Sequence, residues 1–395
     1  MNSYLKIGVV YFARILLKLL HVLPVKKKQI LFSAYEGMAY TCNPKYIFES
    51  LMEVGDGSFN CIWCLNDKNC LPEKYRNCVK IVRFLSPQHI YYLMTSGIII
   101  SNVGIEPIIP KRKSQIFINT WHGGGAYKRV SFDMGVFTRT EQYYIKCMRA
   151  LRRKSTDFFL SSCQEFTNVS SVDFDIEVSR FIPCGLPRND RFFKKDDRLK
   201  KVLHQKICNE YGLDQDALLV LYAPTYRGTH RAQQQIDKQV CNQKVVSAFV
   251  ERFKRNVIML FRSHISKDMI TNSKDMDNDA FIVDVTKYPD MQDLLDIADV
   301  LITDYSSSIW DYSITQKPGF LYMPDINSYG IERGFYTPLD KWPYPYAEDI
   351  SSLCQLILDY DEEWSHAKIK AHQNLLGSYE RGNANQIVLQ LLGKH

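Results

Sequence analysis

The sequence predicts an α/β protein built from two doubly wound domains. Short apolar runs rich in β-branched and aromatic residues alternate with longer helical patterns, which is typical of parallel sheets with crossover helices. A polar and charged stretch, 188–201, separates two sets of such runs, and 395 residues with 46% hydrophobic content can form two cores. Ligands of such domains bind beyond the carboxyl ends of the strands, so we expect a catalytic cleft between the two domains.

The predicted strands divide evenly between the two halves of the chain. Those of the first half are 29–34, 61–65, 98–101, 115–119 and 157–161. Those of the second half are 218–222, 257–261, 281–284, 300–303 and 319–323. We therefore predict Rossmann-like domains at 29–195 and 196–372, followed by a C-terminal helix at 373–395 that packs back on the first domain.

Residues 1–28 form an amphipathic and basic segment. Apolar residues recur there at helical spacing, but charged residues interrupt the run, and no uncharged stretch reaches the roughly 20 residues that span a bilayer. The cations are Lys6, Arg14, Lys18, Lys26, Lys27 and Lys28. We predict a helix lying in a membrane interface, with its cations at anionic headgroups. The alternative is a helix that packs on the core and carries a solvated basic tail. A second basic helix, 144–154, is either another membrane-facing patch or an ordinary surface helix.

Composition restricts the compartment and the partners. Eleven cysteines without regular spacing, and no recognisable cleavable signal sequence, favour a reducing compartment. A net charge of +7 suits an anionic partner such as phospholipid, a polyphosphate polymer or a nucleotide. Nucleic acid is not expected, because no groove-reading or base-stacking module accompanies the basic residues. Cys61 and Cys64 have the spacing of half a zinc site, but they fall in an apolar strand, which favours core packing.

The first candidate site lies where the strand 115–119 runs into three glycines. His122 follows that strand, and a histidine at a strand end is able to take a proton from an attacking hydroxyl near neutral pH. Gly123 and Gly124 allow backbone N–H groups to approach a ligand closely, and Lys128 is suited to a phosphate. The alternative is a structural histidine in a glycine turn.

Two further strand ends carry cationic residues. Thr225 and Arg227 follow the strand 218–222, and the planar guanidinium fork of arginine is suited to phosphate. Arg262 and His264 follow the strand 257–261, where His264 is suited to a leaving phosphate or to orienting a diphosphate. Each of these motifs is weak when it is taken alone.

The fourth candidate site joins the strand 300–303 to a helix. Ser306, Ser307 and Ser308 lie at the helix start, where free N–H groups and the helix dipole favour anions, so we predict a diphosphate there. Asp304 and Asp311 are candidates for binding ribose or polyol hydroxyls. Plain helix capping by these residues is the alternative.

Taken in order, these segments resemble the CDP-glycerol glycerophosphotransferase family, which builds teichoic-acid-type polymers. The likeness covers roughly residues 30–340, and its specificity comes from the order and spacing of the motifs rather than from any one of them. The matching segments are Asn43-Pro-Lys-Tyr-Ile, Trp121-His-Gly, Gly185-Leu-Pro-Arg-Asn-Asp190, Tyr222-Ala-Pro-Thr-Tyr-Arg, the segment ending in His264, Thr303-Asp-Tyr-Ser-Ser and Glu332-Arg-Gly-Phe335.

The resemblance implies a GT-B fold and metal-independent transfer, without a cofactor, of a polyol phosphate from a CDP-linked donor. Glycerol phosphate would pass to a hydroxyl of a lipid-linked or surface polysaccharide, CMP would leave, and the enzyme would lie peripherally on the cytoplasmic face of the membrane. His122 matches the candidate general base of the family, and Arg227, His264 and the three serines match its diphosphate-binding positions. We therefore predict that His122 and His264 are catalytic and that Thr225, Arg227, Arg262 and the three serines bind the donor diphosphate. The acceptor side is assigned to Gly123, Gly124, Lys128, Arg188, Asn189 and Asp190.

Departures from the family pattern leave the polyol and the acceptor open. Gly124, Gly125 and Ala126 stand where a Thr-Pro-Leu type continuation is expected, and Ile265 stands where proline is usual. Glycerol and ribitol both remain candidates, and homo-oligomers are not excluded. Two competing hypotheses are a GT-B glycosyltransferase that uses a nucleotide sugar and a non-catalytic scaffold that binds membrane and polyanions.

Overall fold

The structure is a computed structural model that describes residues 3–55, 57–129, 138–194, 196–225, 239–263, 281–332 and 334–394. The chain divides into two compact units. The first contains Met1–Gly124, Val130–Phe193 and Gly377–His395, and the second contains Gly125–Arg129 and Lys194–Leu376. Each unit has a parallel sheet and a core of its own.

The first unit contains a sheet of seven parallel strands in the order β3-β2-β1-β4-β5-β6-β7. The strands are β1 (Lys26–Ser33), β2 (Asn60–Cys64), β3 (Lys80–Val82), β4 (Ser96–Ser101), β5 (Ile116–Asn119), β6 (Phe158–Ser161) and β7 (Phe181–Pro183). The helices are α1 (Ser3–Lys18), α2 (Cys42–Val54), α3 (Pro87–Thr95), α4 (Arg139–Ser155) and α5 (Gln164–Asp173). This order reverses between β1 and β4, and ligands of doubly wound sheets bind beyond the strand ends at such a reversal.

Burial on both faces explains why these strands are almost continuously apolar. Ile30 and Phe32 of β1 belong to one hydrophobic cluster, whereas Leu31 between them belongs to the cluster on the opposite face. Cys61 and Cys64 lie in β2, and burial raises the pKa of both thiols to about 12. The interpretation of this pair as core residues is confirmed.

The N-terminal helix α1 lies on the outside of the first unit. None of its residues is buried. Arg14 anchors it by donating to the main-chain oxygens of Pro107 and Ile109, and Leu17 is partly buried against the core below. Lys26, Lys27 and Lys28 are exposed, and they form the first three residues of strand β1. No helix among the described residues is both long and apolar enough to cross a bilayer.

The second unit contains a six-stranded parallel sheet in the order β10-β9-β8-β11-β12-β13. Its strands are β8 (Leu218–Tyr222), β9 (Val257–Phe261), β10 (Ile282–Asp284), β11 (Val300–Thr303), β12 (Gly319–Tyr322) and β13 (Tyr346–Ala347). Its helices are α6 (Asp197–Tyr211), α7 (Gln243–Phe253), α8 (Met291–Ile297), α9 (Ser308–Ser313), α10 (Ile326–Glu332), α11 (Ile350–Leu358) and α12 (Glu362–Leu376). The order reverses here between β8 and β11.

Two segments belong to a unit that is not their neighbour in the sequence. The C-terminal helix α13 (Ala384–Gly393) contributes Val388 and Leu392 to the core of the first unit. Gly125–Arg129 belongs to the second unit, where Arg129 N donates to Gly334 O and Tyr336 N donates to Tyr127 O.

The predicted fold class of two doubly wound parallel sheets is confirmed. Each of the ten predicted strands is present, with bounds that differ by at most three residues. The three strands that were not predicted, β3, β7 and β13, contain only two or three residues each. Such short strands have too few positions to show a periodic pattern.

Candidate functional site

His122 lies just beyond the carboxyl end of β5, in the first unit. Its ring contacts those of Trp121 and Tyr35, with centroids 4.3 and 5.6 Å away. Its Nδ1 atom is 2.8 Å from the main-chain oxygen of Asn102, which follows β4. Because a carbonyl oxygen only accepts, Nδ1 carries the proton, and the lone pair of the neutral ring is on Nε2. This is the tautomer that a general base acting through Nε2 requires.

Asn102 also connects the loops on the two sides of the strand-order reversal. Its side-chain Oδ1 accepts from the backbone N–H of Tyr35, 2.9 Å away, and Tyr35 lies two residues after the end of β1. Tyr35 and Glu36 both have positive φ, of 47° and 56°. Backbone strain of this kind is found preferentially at functional sites.

Glu106 lies in the loop that follows β4 and was not predicted from the sequence. Its pKa is raised to about 7, mainly by burial; a backbone hydrogen bond opposes the shift, the charge of Glu36 adds to it, and Arg152 opposes it. A carboxyl that titrates near neutral pH is a frequent feature of active sites. The sequence has no pattern that distinguishes this glutamate from solvated ones.

Arg188, Asn189 and Asp190, which were assigned to the acceptor, lie inside the first unit. Each is at most 6% exposed. Nη1 of Arg188 donates to the main-chain oxygen of His122 at 2.9 Å, and Asn189 donates to Glu380 at 3.1 Å. Asp190 accepts from the backbone N–H groups of Ala384 and Asn385, at the start of α13. These contacts all lie within the first unit, and the predicted contact of the three residues with an acceptor remains a prediction.

The glycine turn after His122 continues into the second unit. Gly123 is partly buried and Gly124 is buried in the first unit. Gly125 has a φ of 67°, in the left-handed region that glycine adopts readily. Lys128 is partly buried and forms an antiparallel bridge with Phe335. The predicted roles of these residues toward an acceptor remain predictions.

In the second unit, Thr225 and Asp304 face each other across the strand-order reversal. The carboxylate of Asp304 accepts from the backbone N–H of Thr225 at 2.9 and 3.0 Å and from its hydroxyl at 2.7 Å. It also accepts from the N–H of Tyr305. Asp304 is buried, so it holds the loop after β8 in place, whereas the sequence assigned it to ribose or polyol hydroxyls.

The serine-rich turn begins a short helix, α9, of six residues. Oγ of Ser306 accepts from the N–H of Ser308, and the side chain of Ser307 makes no capping hydrogen bond. Asp311 is buried and accepts from Nε2 of Gln292 at 2.9 Å. Ser306 therefore binds a backbone N–H at the start of the helix, as the capping alternative predicts, but Ser307 does not. Diphosphate binding by this turn remains a prediction.

The remaining donor residues follow β9 or lie outside the described residues. Arg262 is partly buried, and its Nη1 atom donates to the main-chain oxygen of Tyr288 at 2.6 Å. Arg227 and His264 lie outside the described residues, so their predicted roles are untested. In the part of the chain that the structure describes, no three His, Cys, Asp or Glu side chains form a candidate metal site.

Comparison with known proteins identifies the family. The family model for CDP-glycerol:poly(glycerophosphate) glycerophosphotransferases matches residues 15–394. The chain belongs to this family. The predictions of the family, of an enzyme and of polyol-phosphate transfer are thereby confirmed.

Relatives of this glycerophosphotransferase family member span more than one polyol. It is 28% identical to a teichoic acid poly(glycerol phosphate) polymerase of Bacillus spizizenii, over 96% of this chain and 95% of the relative. It is 27% identical to a teichoic acid ribitol-phosphate primase of the same organism, over 94% and 92%. A teichoic acid glycerol-phosphate transferase of Staphylococcus aureus is 26% identical over 95% of both chains.

Solved structures support the same fold. The wall teichoic acid polymerase TagF has a TM-score of 0.80 with 25% identity, over 99% of this chain and 95% of that one. A variant of TagF soaked with CDPG gives the same TM-score, identity and coverage. A putative UDP-N-acetylglucosamine 2-epimerase of Listeria monocytogenes, 12% identical with a TM-score of 0.53, shows a likeness of fold alone. The predicted GT-B type fold is confirmed.

Proposed function

We propose that this enzyme transfers glycerol phosphate from CDP-glycerol to a hydroxyl of a lipid-linked, teichoic-acid-type acceptor and releases CMP. The observation that supports it best is the family match over residues 15–394, within which His122 has its lone pair on Nε2. Glycerol is preferred over ribitol because the family description and two of the three relatives described above contain glycerol phosphate.

His122 serves as the general base of the proposed reaction. The acceptor oxygen forms a bond to the phosphorus that carries glycerol, and the bond between that phosphorus and the oxygen of CMP breaks. The proton of the attacking hydroxyl passes to Nε2 of His122, and the leaving electron pair remains on CMP. Positioned acid–base groups of this kind contribute about 10²- to 10⁴-fold to a rate.

The second unit binds the donor in this proposal. Negative charge grows on the leaving phosphate, and transfer of this kind depends mainly on alignment and charge neutralisation. The groups proposed to neutralise this charge are Arg262, Arg227, His264 and the turn of Ser306, Ser307 and Ser308. Asp304 has a supporting role, because it fixes the loop that carries Thr225.

The same proposal includes peripheral attachment to the cytoplasmic face of an anionic membrane. Large apolar side chains on α1 point into solvent, with Phe12 and Ile15 both 63% exposed. Helix α4 contacts α1 through Tyr143 and Tyr4, whose rings are 6.0 Å apart, and α4 ends in a basic run. Apolar side chains beside cations are the chemistry of an interfacial helix on anionic lipid.

Incubation with CDP-glycerol, CDP-ribitol and several UDP-sugars, followed by identification of the released nucleotide, tests the proposal. We expect CMP from CDP-glycerol in the presence of a lipid-linked acceptor, and the same rate in EDTA. CMP from CDP-ribitol alone would replace glycerol by ribitol. Release of UDP would support the glycosyltransferase hypothesis, and no release from any donor would favour a scaffold. Loss of activity in EDTA that magnesium restores would contradict metal independence.

A further inference from the structure

We infer that Asn43 is a positioning residue for His122, because its side-chain amide fixes the backbone turn that presents the imidazole. The inference rests on the proposed role of His122 as the base. Asn43 lies at the start of α2, 79 positions before His122, in a segment for which the sequence suggested no chemical role.

The turn before His122 is strained at Trp121. Its φ is 52°, in the left-handed region that residues with a Cβ atom avoid at a cost of about 1–2 kcal/mol. A bulky aromatic residue keeps such a conformation only where the surrounding structure holds it. The groups that hold Trp121 therefore decide where His122 lies.

The amide of Asn43 is one of these groups. Its Nδ2 atom donates to the main-chain oxygens of Thr120 and Trp121, each 3.0 Å away, which uses both of its protons. Its Oδ1 atom accepts from the backbone N–H of Arg188 at 3.2 Å. Asn43 is fully buried, and a reversed amide would place its oxygen against two carbonyl oxygens. The amide therefore has a single satisfied orientation.

Arg188 is the second residue that holds this turn. Its backbone N–H donates to Oδ1 of Asn43, and its Nη1 atom donates to the main-chain oxygen of His122. Donors from Asn43 and Arg188 thus bind the carbonyls of three successive residues, 120, 121 and 122. This arrangement explains why two motifs far apart in the sequence accompany the histidine motif in this chain.

The expected consequence is an effect on turnover rather than on donor binding. Without the two amide donors, Trp121 is free to return to a relaxed backbone conformation, which would move the ring of His122 away from Asn102. A displacement of about 1 Å in a catalytic group typically costs about 100-fold in rate. Donor binding is assigned to the second unit, so the KM for CDP-glycerol should change little.

Gln115 provides a matched control within the same unit. It is also buried, its Nε2 atom donates to the main-chain oxygens of Leu93 and Ser96 at 2.8 and 2.7 Å, and its Oε1 atom accepts from the N–H of Arg112. The two amides therefore make the same set of hydrogen bonds. Gln115 precedes β5, whereas the turn of His122 follows that strand.

The test compares Asn43→Ala, Asn43→Asp and Gln115→Ala by kcat, by KM for CDP-glycerol and by thermal unfolding. We expect Asn43→Ala and Gln115→Ala to lower the unfolding temperature by similar amounts, and only Asn43→Ala to lower kcat by about 10- to 100-fold. Asn43→Asp keeps the size and one acceptor oxygen but removes both donors, so it tests the same point if the alanine variant does not fold.

The double variant His122→Ala/Asn43→Ala distinguishes positioning from general damage. If Asn43 acts through His122, its replacement should lower kcat less than twofold further once the imidazole is absent. Full additivity, or normal kcat in folded Asn43→Ala and Asn43→Asp, would overturn the inference and leave the proposed function intact. Near-normal turnover of His122→Ala alone would instead overturn the role of the base on which the inference rests.

Discussion

The main-chain oxygen of Asn102 accepts a hydrogen bond from Nδ1 of His122, and this contact determines which ring nitrogen is basic. Replacement of His122 by alanine should therefore lower kcat for CMP release by about 10²- to 10⁴-fold. Binding of CDP-glycerol, measured by calorimetry, should change by less than a few fold. His204→Ala is the control, because His204 lies on α6, its ring nitrogens are 3.7 and 3.8 Å from Sγ of Cys208, and it has no role in the proposed reaction. Turnover near normal in His122→Ala would reject the base.

Gly125 should not tolerate a side chain. Its φ is 67°, and a Cβ atom there would lie 2.5 Å from the ring of Tyr127 and 3.1 Å from that of Trp310. We expect Gly125→Ala to lower the free energy of unfolding by about 2–5 kcal/mol, from backbone strain and overpacking together.

The variant Gly212→Ala serves as the control that separates backbone strain from overpacking in Gly125→Ala. The φ of Gly212 is 65°, but a Cβ atom there would meet no atom within 4 Å. Gly212→Ala should therefore cost only the backbone part, about 1–2 kcal/mol. Urea unfolding measures both variants, and equal losses would show that crowding at Tyr127 and Trp310 contributes nothing.

Protonation of His372 should destabilise the second unit in acid. Its Nδ1 atom is 2.7 Å from Lys341 O and its Nε2 atom 2.8 Å from the hydroxyl of Tyr127, and burial lowers its pKa from 6.5 to about 4. Between pH 6.5 and pH 4, His372 is protonated in the unfolded chain but neutral in the folded chain. Stability should therefore fall between pH 6.5 and 4, by roughly 3 kcal/mol in all, and be lost no further below pH 4.

The variant His372→Gln isolates this contribution. The first unit contains a second buried histidine, His89, whose pKa burial also lowers to about 4. The difference between wild type and His372→Gln in urea unfolding at several pH values removes the part due to His89. A difference that does not vary between pH 7 and pH 4 would contradict the prediction.

The exposed apolar side of α1 should determine membrane binding. Phe12→Glu with Ile15→Glu should lower the affinity for vesicles of phosphatidylglycerol at least tenfold, because both apolar contacts with lipid are lost. Co-sedimentation at two salt concentrations measures the affinity. Leu375→Glu is the control, since Leu375 is 58% exposed but lies on α12. Equal binding of all three proteins would exclude α1 as the attachment site.

The sequence predicted those features that depend on periodicity and residue type. The strands β8, β9 and β11 have their predicted bounds, because continuous apolar runs are what strands buried on both faces require. The strand-end position of His122 followed from the same pattern. The apolar residues of α1 could not decide between an interfacial helix and a helix that packs on the core, and the helix has both features: Leu17 packs against the first unit, while Phe12 and Ile15 are exposed.

The buried polar contacts could not be predicted from the sequence. Arg188 and Asp304 are residue types that usually bind ligands or face solvent, yet both are buried and their polar atoms contact the backbone of distant loops. Asn43 and Asn102 support His122 only because the fold brings the ends of different strands together. No spacing rule relates residues 43, 102, 122 and 188 before the sheet order is known.

The contact between Thr225 and Asp304 restricts how the specificity of this enzyme can be redesigned. Consider a chimaera in which only the loop after β8 is replaced by that of a ribitol-phosphate relative. The buried carboxylate of Asp304 would then face a loop whose residues need not supply the donors that Thr225 supplies. Loss of its partners would unfold or misplace the grafted loop, and this would resemble a failure to recognise the polyol. Grafts should therefore transfer 222–225 and 303–305 together.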